Sequence, residues 1–291
     1  MNKNTWWGIV VLIVVLSVIV SFLGARLFAP TSASQSNNLA QKVIAAKEIR
    51  VGYIVYPPGM IKDPNTGALS GIFYDALNEA GQNLGVKIDW VGESTWGTLL
   101  EDVNSGKFDM IGSPVWQSSP RATQADFTIP LMYSVIGVYV RPNDHRFDTN
   151  YGAINSPNVK ISIIDGELAQ TIAKEQFPNA SLVSLPQTAA VSDDLLNVQT
   201  GKADVAFIEL PVANDYIINN PGSVRNANPS VPLRINGNVM VIPQNQPALK
   251  EMLDTALSEE LNSGYIDTLL KKYSTPGSFY SIAKPYSLPK N

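Results

Sequence analysis

Two side chains in this sequence are placed for complementary chemistry: Arg121 and Glu209, each a short way downstream of one copy of a repeated phrase. The first copy, Val103-Asn104-Ser105-Gly106-Lys107-Phe108-Asp109, runs on to Arg121; the second, Val198-Gln199-Thr200-Gly201-Lys202-Ala203-Asp204, runs on to Glu209. A planar guanidinium grips a carboxylate through paired N–H donors, and a carboxylate attracts an ammonium. A cation from one unit and an anion from the other would therefore suit a zwitterion. Other chemistries are closed off. The chain has no cysteine, which excludes disulfides, thiol catalysis, cysteine-ligated zinc and a lipoprotein-type acylated cysteine. The one histidine, His145, falls in the loop Arg141-Pro142-Asn143-Asp144-His145-Arg146, which leaves a Ser-His-Asp triad without a credible base. No glycine-rich phosphate loop occurs, and no metal, nucleotide or redox cofactor is expected.

Each copy reads as a helix end, a glycine cap and a buried strand, with Met110 and Ile111 continuing the first strand and Val205, Ala206 and Phe207 the second. Such a duplication implies two similar α/β lobes with a ligand cleft between them. The surrounding sequence alternates strand and helix. A strand over 49–55 is broken by Tyr56-Pro57-Pro58-Gly59, and Asp63-Pro64-Asn65-Thr66-Gly67 is a turn. A helix over 71–84 is capped by Gly85, a strand covers 86–91, and a helix over 95–104 opens with Trp96. Ser118 or Ser119 as N-cap, with Pro120 in the first turn, starts the helix that carries Arg121. A strand over 135–140 leads out of the first lobe. The second lobe follows as a strand over 159–164, a helix from Gly166, a strand over 182–185, a helix around Leu195 and a strand ending at Phe207. Residues 233–242 return, an amphipathic helix over 247–273 breaks at Gly264, and the tail from Pro276 is extended. This alternation predicts mostly parallel sheet with helices on both faces and ligands at the carboxyl ends of strands. Tyr56, Trp96 and the segment after Asp109 fall at such ends.

The amino terminus indicates the compartment. Lys3 precedes a charge-free run over 6–25 that ends at Arg26, about twenty residues and enough to span a bilayer as a helix. Trp6 and Trp7 suit a membrane interface. Residues 1–29 are expected to be an uncleaved signal anchor, a transmembrane helix; the alternative is a cleaved signal with Thr31-Ser32-Ala33 as its site. Either exports the body of the protein, so the expectation is a cell-membrane location with the binding domain in the periplasm or outside. Residues 30–47 read as a linker, the stretch 30–38 being rich in Ser, Thr, Asn and Gln. A length of 291 residues and 45% hydrophobic content are enough for one large domain or two smaller ones with real cores. A net charge of −4 gives no reason to expect nucleic acid.

The stretch from Asp109 to Tyr133 resembles the bacterial extracellular solute-binding proteins of family 3, the amino-acid receptors of ABC importers. Their pattern is a strand with Asp, a short Ser/Thr-rich loop, an Arg twelve residues later, then Phe-Ser/Thr-x-Pro-Tyr; here stand Asp109, Arg121 and Phe127-Thr128-Ile129-Pro130. The resemblance runs over 48–275 and takes in Tyr56-Pro57-Pro58, Gly71 with Asp75, both repeated phrases, and Gly264-Tyr265 with Lys272-Tyr273. It implies an α/β, two-lobed type 2 periplasmic-binding-protein fold with two hinge crossovers: lobe 1 over 48–137 and 238–275, lobe 2 over 138–237, and a tail over 276–291. It implies that Arg121 holds a ligand α-carboxylate, Glu209 the α-ammonium, and Trp96 and Tyr56 the ligand side chain. Ser113 and Trp116, in the segment after the first-lobe strand, and Glu167, at a second-lobe helix start, complete the implied site. The implied partners are a small amino acid or amine and an ABC permease, for a monomer that is not an enzyme.

The departures bear on ligand class. Leu131 stands where tyrosine is usual, Glu209 where aspartate is usual, and Pro114 and Trp116 replace common hydroxyl positions. Asp165 and Glu167 flank Gly166 at the helix start that in the family donates to the carboxylate, and they would repel an anionic ligand. Neutral or cationic amino acids are therefore expected to bind better than glutamate or aspartate. Two other readings stand beside this one: a cyclohexadienyl-dehydratase-like enzyme using Glu209 as a general acid, and a membrane-anchored ligand-sensing domain.

Overall fold

The computed structural model of the chain describes residues 39–273 and 279–281, so the expected anchor over 1–29 and the polar stretch 30–38 lie outside the described residues. The linker reading of 30–47 needs correction over its second half. Residues Leu39–Ala46 form a helix, α1, that buries Ala40 and Val43 in the core of the first lobe. Its first N–H, on Leu39, donates to the Gln246 side chain at 3.0 Å. A linker expectation built on the polar stretch could not see that Ala40 and Val43, three residues apart, share one face of a helix.

The chain then lays down β1 (Glu48–Tyr53), a short hairpin of β2 (Ile61–Lys62) and β3 (Leu69–Ser70), α2 (Ile72–Leu84) and β4 (Lys87–Glu93). Helix α2 buries Ile72, Phe73, Ala76, Leu77 and Ala80 along one stripe, each large side chain contributing about 1.5–3 kcal/mol. Gly85 stops it in the left-handed conformation, φ 68°, as the glycine cap predicts. The next helix, α3 (Leu99–Asn104), starts four residues later than the sequence suggests. Gly97 and the Thr95 and Thr98 hydroxyls, which bond to each other at 2.9 Å, hold 95–98 as a turn instead. Then come β5 (Met110–Trp116), α4 (Ser119–Ala122), β6 (Ala125–Phe127) and the long β7 (Met132–Val140).

The second lobe follows with β8 (Lys160–Ile164), α5 (Leu168–Gln176), β9 (Ser181–Leu185), α6 (Ser192–Gln199), β10 (Val205–Glu209) and α7 (Leu210–Asn219). After β11 (Arg225–Asn226), the long β12 (Arg234–Pro243) leads back to α8 (Pro247–Ser263) and α9 (Tyr265–Tyr273), with Gly264 at φ 81° between them. Strand β13 (Phe279–Ser281) pairs with β7, in keeping with an extended tail.

The strand order is β4-β1-β5-β12-β7-β10-β8-β9. The strands β4, β1 and β5 are mutually parallel, as are β10, β8 and β9. Between these parallel sets run β12 and β7, antiparallel to each other and to their outer neighbours. The mostly parallel expectation therefore holds within each lobe and fails at the centre, where the chain crosses between lobes. Separate cores follow this division: one gathers α1, α2, α8 and α9, and another gathers Ile161, Ile163, Leu168, Ile172 and Phe207.

The repeated phrase folds the same way twice. Gly106 (φ 76°) and Gly201 (φ 75°) each end a helix. The N–H of Phe108 reaches the Asp102 carbonyl and that of Ala203 the Asn197 carbonyl, the same six-residue span. Asp109 then clamps the first-lobe sheet: its N–H donates to the Arg50 carbonyl at 2.7 Å, and its carboxylate accepts the Arg50 N–H at 2.9 Å. Asp204 clamps Lys160 likewise, at 2.8 and 2.9 Å.

Candidate functional site

Arg121 rides on α4, the short helix that Ser118 caps by accepting the Arg121 N–H. Its side chain is only 9% exposed. One Nη donates to the Trp116 carbonyl at 2.9 Å, and the other crosses to the Gly166 carbonyl of the second lobe at 2.8 Å. A guanidinium has five N–H donors, so these two bonds leave capacity for a carboxylate. Among the described residues no carboxylate forms an ion pair with Arg121. Burial pulls its pKa below the usual value, opposed by the nearby charge of Glu167.

Glu209 is held from the first lobe and from a crossover strand. Its Oε1 accepts from the Trp116 indole N–H and from the Ser134 hydroxyl. Ser134 in turn accepts from Asn238 Nδ2 at 2.9 Å, so β7 and β12 together orient the carboxyl. Glu209 is 1% exposed, and burial pushes its pKa up to about 7 against the effect of those hydrogen bonds. Glu167 lies near both charges. It caps its own helix, accepting the Ala169 N–H at 2.7 Å, and burial pushes it to about 7, with Arg121 pulling down and Glu209 pushing up. Asp165 makes a different contact: it is half-buried in the turn before α5 and accepts from Gln170 of that helix at 3.1 Å.

Tyr56 is fixed by a tight loop in which its N–H and carbonyl pair with Met60, at 2.8 and 2.9 Å. The carbonyls of Pro58 and Gly59 then accept the first N–H groups of α2. The Tyr56 hydroxyl is buried without a hydrogen-bond partner of normal geometry. Burial, then the charges of Glu209 and Glu167, push its pKa well above the usual value. Trp96 meets the Tyr56 ring edge-on, with centroids 5.6 Å apart at 88°, and both pack toward Ile164 of the second lobe. The lobes touch backbone to backbone here. Gly166, at φ 84°, lies so close that an added Cβ would come within 2.8 Å of the Gly97 Cα.

Of the residues singled out in sequence, Arg121, Glu209, Trp116, Glu167 and Tyr56 come together around one seam, and Trp96 adjoins it through Tyr56. Ser113 does not join them. Its hydroxyl accepts the Ile54 N–H at 2.7 Å and donates to the Ile54 carbonyl at 2.9 Å, so both roles serve the sheet. Trp116 takes part as a donor to Glu209. Ser134 and Asn238 escaped the sequence reading; the available signal was a polar side chain inside each of two apolar strands. Beside the seam, Tyr56 and Trp96 wall a cavity of about 820 Å³ that extends to residues 187–192 and α7.

Parallel lobes joined by two antiparallel crossovers, with opposite charges buried at their seam, define a two-lobed ligand-binding protein. The chain belongs to the bacterial extracellular solute-binding proteins, family 3, whose family model matches residues 49–276. It is 25% identical over 261 residues to a probable histidine-binding protein of Campylobacter jejuni, covering 88% of this chain and 96% of that one. Its fold matches an ancestral amino acid-binding protein, a precursor of cyclohexadienyl dehydratase, with a TM-score of 0.69 at 24% identity over 81% of this chain and 99% of that one. It also matches the cysteine-binding protein of Campylobacter jejuni, with a TM-score of 0.70 at 17% identity over 85% and 96% of the two chains.

Proposed function

We propose that the protein captures a free amino acid in the seam between its lobes and delivers it to an ABC permease. The observation that carries this reading is Arg121, a nearly buried cation with no carboxylate partner among the described residues, facing a second lobe whose buried Glu209 has no cationic one. A buried charge left without its counter-ion is costly. A zwitterion supplies both counter-ions at once, its carboxylate on Arg121 and its ammonium on Glu209. Similarity to a probable histidine-binding protein supports the amino-acid class. Lobe 1 spans 48–137 and 238–275, with α1 packed on its core, and lobe 2 spans 138–237, with closure by a hinge in β7 and β12. Trp116 orients Glu209, and Tyr56 and Trp96 line the path of the ligand side chain.

The body of the protein is held at the membrane by residues 1–29. Full-length protein should sediment with membranes, and a soluble form with a new N-terminus near Ser34 would replace this reading by a cleaved signal. The ligand class is tested by thermal-shift screening of the full chain against amino acids and amines, since a ligand at 100 times its Kd adds about 2.7 kcal/mol. No response to any α-amino acid would sink the proposal. The enzymatic alternative has one favourable feature, a buried Glu209 whose pKa burial pushes up to about 7. Turnover of prephenate or arogenate would decide for it.

A further inference from the structure

The strand order sets β5, β12, β7 and β10 side by side, and one polar side chain from each joins a single line through the centre of the sheet. Trp116 ends β5, Asn238 lies in β12, Ser134 in β7, and Glu209 ends β10. Asn238 is the register partner of both Trp116 and Met132. Ser134 and Asn238 are fully buried, and Trp116 and Glu209 nearly so. Polar groups buried in apolar strands are costly unless they bond to one another.

The line has a direction. An amide nitrogen and an indole nitrogen only donate, and a serine hydroxyl has one proton. Ser134 Oγ accepts from Asn238 Nδ2 at 2.9 Å and from Trp116 Nε1 at 3.2 Å, so its own proton goes to Glu209 Oε1. Asn238 Oδ1 is buried without a partner and takes no proton from the serine. The Trp116 indole donates to Oε1 as well. Oε1 therefore meets two donors and carries no proton itself, while Oε2 accepts no hydrogen bond from any described residue. The titratable groups beside Glu209 are Tyr56 and Glu167, and Glu167 in turn lies beside Arg121.

We infer that Asn238 and Ser134 are positioning residues that make Glu209 a one-sided acceptor: Asn238 turns the Ser134 proton toward Oε1, Oε1 serves the sheet, and Oε2 alone is left for the ligand. The inference rests on the amino-acid reading above for the group that Oε2 receives, an ammonium. A proton on Glu209 must occupy the same oxygen, so proton and ammonium compete for it.

The Trp116 indole reports the titration of Glu209, because its N–H meets Oε1. The test follows that N–H by NMR against pH on the full chain carrying isotope-labelled tryptophan, with the signal assigned by Trp116→Phe. Ser134→Ala should raise the midpoint by about one pH unit, the loss of one hydrogen bond to a charged group, and Ser134→Thr should restore it. Asn238→Leu removes no hydrogen bond to Glu209. It should still raise the midpoint, by a smaller step, because the Ser134 hydroxyl is no longer polarised toward the carboxylate. In the Ser134→Ala background it should add nothing. A midpoint that Asn238→Leu leaves unchanged or lowers, or a rise that persists without Ser134, would overturn the inference. Asn238→Ser replaces Asn238→Leu if the apolar side chain prevents folding. Glycine, a zwitterion throughout the titration, should lower the midpoint, and acetate, which lacks the ammonium, should not. If the coupling of Asn238 holds but neither glycine nor any other α-amino acid moves the midpoint, the amino-acid reading fails and the positioning role stands.

Discussion

Asp109 and Asp204 do the same work in the two lobes, whereas Arg121 and Glu209, which follow them, do opposite work. Each aspartate joins its strand to the neighbouring parallel strand by the same pair of backbone bonds, to Arg50 in one lobe and Lys160 in the other. Beyond the aspartates the likeness ends. Strand β5 continues to Trp116 and hands over to a four-residue helix that presents a cation; β10 stops at Glu209, which itself begins α7. The shared part solves a backbone problem, satisfying N–H and carbonyl groups where a helix turns into a buried strand. The divergent part offers the proposed zwitterion one charge for each of its two unlike ends, which two equal charges would not.

That contrast can be broken in three ways. The largest effect is expected from Arg121→Ala, which should weaken binding of an α-amino acid by about 2–5 kcal/mol while the protein remains folded. Calorimetry beside a melting curve measures both, and unchanged affinity would remove Arg121 from the site. Next, Asp109→Ala should cost about 1–3 kcal/mol of stability, because it strands a partly buried backbone N–H at the end of a parallel strand, and Asp204→Ala should cost less through its backbone bond, because the Lys160 N–H it frees is open to water. Urea midpoints measure this. A substitution that costs nothing in one lobe would show that the repeated phrase is alike in shape and not in energetics.

The smallest effect concerns how each lobe keeps a buried carboxyl. In the first, Glu260 is 1% exposed with both oxygens unpartnered, and burial, with Glu79 beside it, pushes its pKa up to about 8. In the second, burial pushes Asp194 to about 7, but it accepts a hydrogen bond from Ser162, which Asn197 supports at 3.0 Å. A raised carboxyl pKa means that the folded chain keeps a proton the unfolded chain releases. The associated stability is complete below the ordinary carboxyl value and is lost as pH rises toward the folded pKa. Glu260→Gln should therefore raise the melting temperature at about pH 8 and change it little near pH 4.5. Asp194→Asn should gain less at about pH 8, because the carboxyl it replaces already has a donor. Scanning calorimetry at the two pH values checks the pair; a loss of stability from Glu260→Gln at pH 8 would show that the carboxylate is already well served.

What the sequence determined by itself is local. Gly85, Gly106, Gly201 and Gly264 mark helix ends because each adopts the left-handed backbone that other residues avoid. Ser118 and Pro120 fix where α4 begins, and the two repeated phrases run on to Arg121 and Glu209, whose proposed roles come from the family resemblance. The tertiary structure decided everything that depends on two distant segments meeting. It docked Ala40 and Val43 on the first core, committed the Ser113 hydroxyl to Ile54, and set Ser134 and Asn238 behind Glu209. It also brought the Arg121 guanidinium to the Gly166 carbonyl and opened a cavity walled by Tyr56 and Trp96. Helix ends follow from backbone preferences within a few residues. Side-chain partners follow from strand register and from how two lobes face each other, and neither is written in any one stretch of the chain.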